Sequence, residues 1–259
     1  MSYFFRDQSS PQIQEHIEKQ SLLILPVGTT EEHGPHLPVD TDARIAEAYG
    51  MRLAETLTPE IPMLLMDTIR YGYSMRVMQR WPGTVVVRTR VLMDLVFDIC
   101  RSGLDMGFEK LAMLDCHGHH SGLLGTVARE LCDACDKAVA IISPAELSRD
   151  EFNTARKSEQ GGAIHAGEWE TSLVLHISPD VVDMSKARDV DTMRYRTEFV
   201  AGDNFLGRQR VHWSMWYLQP SGTGVYGTPT VATAETGKVI MDAAVANGAR
   251  FLEEYWRKR

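Results

Sequence analysis

Short, wholly apolar runs alternate along the chain with longer segments in which apolar positions recur every three to four residues. Residues 22–26, 62–66, 111–114 and 138–142 are the runs, too short for helices and bounded by turn or polar residues, and they read as buried strands. A brief further strand is expected at 85–87. Between them the helical spacing is clear. Ser10 and Pro11 open a short polar helix through Ile13 and Ile17 to about residue 19, with Ser as N-cap and Pro at the first helical position. From residue 41 the series Ile45, Ala46, Tyr49, Leu53, Ala54 and Leu57 marks a second helix, with Asp42 at its positive dipole end. Leu92, Leu95, Val96, Ile99, Cys100 and Leu104 form one face of a helix over 88–106, and further helices are expected at 121–135, 165–177 and from 232 to about 256. Strands alternating with amphipathic helices imply a mostly parallel sheet covered on both faces, a three-layer α/β/α arrangement.

Two stretches break this rhythm. Residues 71–84, YGYSMRVMQRWPGT, are irregular and rich in Tyr, Ser, Arg, Gln and Trp, which suits a substrate-facing loop, an ordinary surface loop being the alternative. Residues 148–162 are polar and read as loop with one helical piece. No internal repeat or low-complexity tract is present, and neither a G-x-G-x-x-G after a strand nor a P-loop occurs, which argues against nucleotide binding.

A chain of 259 residues buries a large core and reads as one domain over 1–259. With 44% hydrophobic and 24% charged residues the composition is that of a globular protein. The formal charge of −8 makes a nucleic-acid backbone or an anionic membrane a poor partner and favours a small neutral or cationic substrate. The start, MSYFFRDQSS, carries Arg6 and Asp7 where a secretion signal has its apolar core, and no window approaches eighteen apolar residues. Cys100, Cys116, Cys132 and Cys135 make no disulfide framework, so a reduced, cytoplasmic protein is expected. The C-x-x-C of Cys132 and Cys135 has helical spacing and no second pair, and reads as packed free thiols.

Chemistry concentrates after the first strand, where Glu31, Glu32, His33, His36, Asp40 and Asp42 fall within twelve residues. Carboxylates and imidazoles are what a first-row metal ion requires; the alternative for that loop in isolation is a solvated turn. Six of the nine histidines lie in the windows 31–42, 116–120 and 165–170, less than a tenth of the chain. Two windows follow strands directly, so all three can converge at one end of the sheet, where open α/β sheets bind ligands.

The motifs TEEHGPHLPVDTD, DCHGHHSG, HAGEWETS and GVYGTP, in that order over nearly the whole chain, resemble the creatininase family of metal-dependent amidohydrolases. The resemblance implies two divalent metal ions per subunit (Zn, Mn or Fe) on a creatininase-like α/β/α fold. Glu31, His33 and Asp42 match its first ligand positions, Asp42 as the bridging carboxylate, and His117 matches the ligand of the histidine loop. Glu168 matches a carboxylate completing the second metal, with a catalytic part, His165 the histidine beside the substrate, and Glu170 a structural acid. Such an ion pair holds a bridging water, lowers its pKa and polarises a carbonyl, as opening a cyclic amide requires. His165 is then the proton donor to the leaving nitrogen.

The chain departs from the family pattern as well. Asp115-Cys116 replaces the usual Asn-Gly, and Gly118-His119-His120 replaces Gly-Gly-Asn, so His119 stands where creatininase has an acidic ligand. Either His119 or Glu168 finishes the second metal; Glu168 is favoured as the harder donor in its HAGE context, leaving His119 to the substrate. Met78 stands where many members have a histidine, while Arg76, Gln79 and Arg80 supply donors that suit a polyhydroxylated or carboxylated ring. His36, Ser74, Arg76, His119 and Trp169 are the expected substrate contacts. His16, His176 and His212 have no ligand-type neighbours, and Trp213, Trp216 and Tyr217 either cover substrate or contact another subunit, the family implying a homo-oligomer, a hexamer. The competing readings are hydrolysis of a carbon–carbon bond in an inosose-type cyclic polyol ketone, and a metal-free scaffold, against which stands the presence of every expected ligand.

Overall fold

The computed structural model describes residues 2–57, 61–190, 196–211 and 221–258. The first helix, α1 (Ser10–Glu18), leads into β1 (Leu22–Val27), α2 (Thr41–Leu57), β2 (Met63–Leu65), α3 (Thr89–Met106), β3 (Lys110–Asp115), α4 (Ser121–Cys135) and β4 (Val139–Ile142). Two short helices, α5 (Pro144–Leu147) and α6 (Arg149–Ala155), precede β5 (Ala163–His165), α7 (Glu168–Ile177), β6 (Tyr226–Gly227) and the long α8 (Ala234–Arg257). Strands β1 to β4 form one sheet in the order β2-β1-β3-β4, parallel at every pairing, and β5 and β6 form a separate antiparallel pair. The expected α/β class with a mostly parallel, helix-covered sheet is the observed one.

All six residues of β1 are buried, because the strand is central and has helices on both sides. Its side chains alternate between two cores. Leu22 and Ile24 join Leu65, Ala112 and Leu114 under α2, α7 and α8, whereas Leu23, Leu25 and Val27 join Leu64, Leu111 and Met113 under α3 and α4. Each of the Leu, Ile, Val and Met side chains among them contributes about 1.5–3 kcal/mol by leaving water. Polar groups follow the same economy of position: the Tyr49 hydroxyl, buried in α2, donates to the Ala244 carbonyl of α8 at 3.1 Å, and Gly248 leaves room for that ring, since a Cβ there would stand 2.3 Å from its oxygen.

Local expectations shift in three places. The N-cap of α1 is Ser9, one residue early, because Gln12 folds back to accept the Ser9 N–H at 2.8 Å in a capping box. Residues 85–87 form no strand: Val85 donates to Thr30 and Val87 to Gly72, single bonds to two different loops. The helix expected from 165 starts at Glu168, since 163–165 pair with β6 and Ala166 turns the chain with φ at 50°. The four cysteines are free, Cys132 exposed and Cys100 and Cys116 buried. No helix among the described residues is long and apolar enough to cross a membrane. The aromatic segment with His212, Trp213, Trp216 and Tyr217 lies outside the described residues.

Candidate metal centre

The register of the sheet assembles the site. Val27 pairs with Asp115, so β1 and β3 end side by side and the 28–40 and 116–120 loops leave from one edge. Gly28 lets the first loop pass close to α2, where a Cβ would stand 2.5 Å from the Ala43 backbone, and Asp42 is thereby held in the first turn of that helix over the strand ends. The short β5 brings the third window, at His165, to the same place.

Asp42 is the hinge of the arrangement. Its Oδ1 lies 3.4 Å from His33 Nε2 and its Oδ2 lies 2.8 Å from His117 Nδ1, so each carboxylate oxygen faces a different imidazole. Glu31 Oε2 is 3.6 Å from His117 Nδ1 and 3.7 Å from His165 Nδ1, and Glu170 Oε1 is 3.9 Å from His33 Nε2. Donor atoms of three trios, Glu31/His33/His165, Glu31/His117/His119 and His33/Asp42/Glu170, each lie within 4.8 Å of one another. Both oxygens of Glu31, both of Asp42 and Nε2 of His33 are buried without a hydrogen bond, the close imidazoles not being aligned for one. Buried carboxylates normally find donors. Convergent, unbonded oxygen and imidazole donors are the set a divalent first-row ion satisfies.

Neighbouring backbone orients the rings. His33 Nδ1 contacts the Glu31 carbonyl at 3.0 Å, so the tautomer that donates there turns its Nε2 lone pair to Asp42 and Glu170. His165 does the equivalent with the other nitrogen, its Nε2 lying 2.8 Å from the Glu32 carbonyl and its Nδ1 facing Glu31. The two rings sit 4.4 Å apart, and the Tyr226 ring stands 6.4 Å from His165. The Glu32 carboxylate accepts the Gly34 N–H at 2.9 Å and presses on Gly224, where φ is +85° and a Cβ would stand 1.9 Å from Oε2. That contact accounts for the glycine opening GVYGTP.

Charge in the pocket is strongly coupled. Burial alone lowers a histidine, yet Glu31 and Asp42 push His117 up to about 9, and Asp42, Glu170 and Glu31 hold His33 well above the ordinary imidazole range. Burial disfavours the Asp42 carboxylate, but His117 and His33 outweigh it and keep that group well below the usual range. Glu170 stays raised, because burial and Asp42 prevail over His33 and His165. Away from the acids, burial and His117 push His120 down to about 3, and burial together with His33 takes His36 to about 4.

Among the residues singled out from sequence, Glu31, His33, Asp42, His117 and His165 converge, and Glu168 does not. Its two oxygens accept the Lys157 and Ser158 N–H groups, each at 2.8 Å, which places a fully buried carboxylate against backbone rather than at the cluster. Glu170 stands at the cluster instead. Residues two apart on a helix point about 200° from each other, so once α7 begins at Glu168 only one of the two acids can face the site. That geometry was the missed signal, together with the Ala166 turn, whose N–H the Glu170 carboxylate accepts.

His36 is buried beside α7 with Nε2 2.9 Å from the Thr171 hydroxyl, one layer behind His33. His119 lies in the Glu31/His117 trio, its ring edge-on to His117 at 4.9 Å and 6.4 Å from Tyr73. Trp169 is buried and stacks on Phe205 at 5.7 Å, a packing role that the expectation of a substrate contact did not include. The 71–84 stretch does reach the site. Tyr73 donates its N–H to His120 Nε2 at 3.0 Å, Thr84 accepts from the Glu32 N–H at 3.0 Å, and Val77 and Met78 pack against Tyr226. Ser74 is buried within this stretch, whereas Arg76 is exposed at the start of a 3-10 turn, Arg76–Arg80. His120 was read only as part of its motif; it caps α4 and anchors the loop.

A family profile described as creatinine amidohydrolase matches residues 6–252. The chain belongs to the creatininase family. It is 34% identical over 234 residues to a mycofactocin precursor peptide peptidase of Mycobacterium tuberculosis, covering 88% of this chain and 83% of the relative. A second member, the 3-dehydro-scyllo-inosose hydrolase of Thermotoga maritima, is 27% identical over 258 residues, 93% of this chain and 79% of the relative. The solved structure titled "Creatininase Mn" superposes with a TM-score of 0.82 at 23% identity over the full length of both chains. Creatininase-family relatives of the chain are hydrolases, and the chain shares that chemistry in its broad form.

Proposed function

We propose that the chain is a dinuclear metal hydrolase that opens an amide bond in a small molecule, with a cyclic amide as the first substrate class and Zn, Mn or Fe as the metal. One observation carries the reading: Asp42 turns one oxygen to His33 and the other to His117, with Glu170 and Glu31 flanking them, as a carboxylate shared by two ions must. Glu31, Asp42 and His117 would hold one ion, and His33, Asp42 and Glu170 the other. When bound, the ions supply Lewis acidity toward the substrate carbonyl and bring a bound water toward neutral pKa.

The protein's own groups do the rest. The Glu31 carbonyl fixes the His33 ring, and Asp42 keeps both halves of the cluster at one spacing. His165, anchored through Nε2 on the Glu32 carbonyl, keeps Nδ1 toward the cluster; as the doubly protonated imidazolium it carries a proton on this atom, delivers it to the departing nitrogen and is left neutral. The 71–84 stretch, pinned through His120 and Thr84, limits water at the mouth.

The identity to a peptide peptidase favours a second reading, a short peptide as the amide, which needs the same machinery and a wider mouth. The inosose hydrolase supports a third, in which a carbon–carbon bond breaks and no nitrogen needs a proton. The experiment is a screen of lactams, cyclic ureas, short peptides and inosose-type ketones with metal-reconstituted protein, reading new carboxylate and new amine separately. Equal carboxylate and amine from a cyclic substrate supports the first reading. Carboxylate without amine transfers the assignment to the ketones, and a protein that binds no divalent ion abolishes the reading altogether.

A further inference from the structure

We propose that the His119 imidazole is a ligand of the ion held by Glu31, His117 and Asp42, and that this donor makes the two ion positions chemically unlike, selecting a zinc-class ion over manganese at this one. The inference rests on the dinuclear reading above and deepens it.

Three observations carry it. Donor atoms of Glu31, His117 and His119 lie within 4.8 Å of one another, so the three side chains address one point; ligands at about 2.0–2.1 Å from a shared ion require only a small inward shift from there. The turn that follows β3, closed by the His120 N–H on the His117 carbonyl at 2.9 Å, returns His119 to the side of His117, their rings 4.9 Å apart. Tyr73 also meets His119 edge-on at 6.4 Å, and its own backbone is tied down through His120.

The consequence follows from counting donors. With Asp42 shared, the position at His117 offers two imidazoles and two carboxylates, whereas the position at His33 offers one imidazole, Asp42 and Glu170. Affinity rises from manganese toward zinc along the divalent series, and imidazole donors favour the later ions where carboxylates suit manganese.

The full-length protein is stripped and reloaded with zinc alone, manganese alone or an equimolar mixture, and ions per chain are counted by mass spectrometry while a competing chelator ranks the two sites. The wild type should hold two zinc ions and, from the mixture, prefer zinc at one position by about ten-fold or more. His119→Ala should weaken one zinc position by about ten-fold or more and spare the other, with thermal melting showing that the fold is intact. His119→Glu should still bind two ions, shift preference toward manganese, and change the visible spectrum of the cobalt-loaded protein. If both variants hold two zinc ions with wild-type affinity and an unchanged cobalt spectrum, His119 is no ligand and the inference fails alone. If the wild type holds fewer than two ions under every loading, the dinuclear reading fails and takes the inference with it.

Discussion

The Glu168 carboxylate accepts the Ser158 N–H at 2.8 Å, while its second oxygen takes the Lys157 N–H, so an acid that the motif HAGE offers for metal binding is spent on the backbone of the preceding loop. Glu168→Gln should therefore retain two ions per chain. Its amide can satisfy one of those donors but opposes the other with N–H groups of its own, so a loss of roughly 1–3 kcal/mol of stability is expected. Glu170→Gln should do the opposite, weakening one ion with little effect on stability. Metal counting and urea denaturation on the two variants decide between them, and the reverse pattern would restore Glu168 to the cluster.

The shared position of Asp42 makes its removal unlike that of any neighbour. Asp42→Asn should reduce bound metal from two ions to fewer than one, because both positions lose the oxygen that neutralises and spaces them. His33→Ala should cost a single ion. Equal losses in the two variants would mean that Asp42 serves one position only.

His165 faces Glu31 through Nδ1 with its other nitrogen held by the Glu32 carbonyl. His165→Ala should keep two ions and slow amide turnover by roughly 10²–10⁴-fold, the usual contribution of a positioned proton donor. Turnover near wild type on a substrate with a poor leaving nitrogen would refute the role, and loss of an ion would recast His165 as a ligand.

Much of this centre is written in local sequence, and the parts that are not have a physical reason. The runs at 22–26 and 111–114 announce buried strands, and because each is followed at once by acids and imidazoles, convergence at one sheet edge was legible; Val27 beside Asp115 realises it. The choice between Glu168 and Glu170 was not legible from motif spacing, because it depends on where α7 begins. That start is set by pairing of β5 with β6, some sixty residues away, and by the left-handed turn at Ala166. The packing of Trp169 was out of reach for a similar reason: its partner Phe205 lies in a distant loop that no periodicity connects to it.

That loop is fixed by a buried ion pair whose pH dependence can be worked out. Asp203 bonds the Arg156 guanidinium through both oxygens at 3.0 and 3.1 Å and also accepts the N–H groups of Gly161, Phe205 and Leu206. Burial alone would raise this carboxyl, but Arg156 and the three N–H groups hold it below its ordinary value. A carboxyl whose folded pKa is depressed contributes its stability above the unfolded value, about 3.9, and loses it as pH falls through the folded one. Asp203→Asn leaves Arg156 unpaired in a buried place and should destabilise the protein by roughly 2–4 kcal/mol at neutral pH. The difference between wild type and variant should be flat from about pH 7 to pH 5 and shrink below about pH 4, as wild-type Asp203 takes up its proton and comes to resemble the amide. Urea titrations of both proteins across that range test it. A difference that stays constant down to pH 3 would show that the pair contributes packing and hydrogen bonds but no charge.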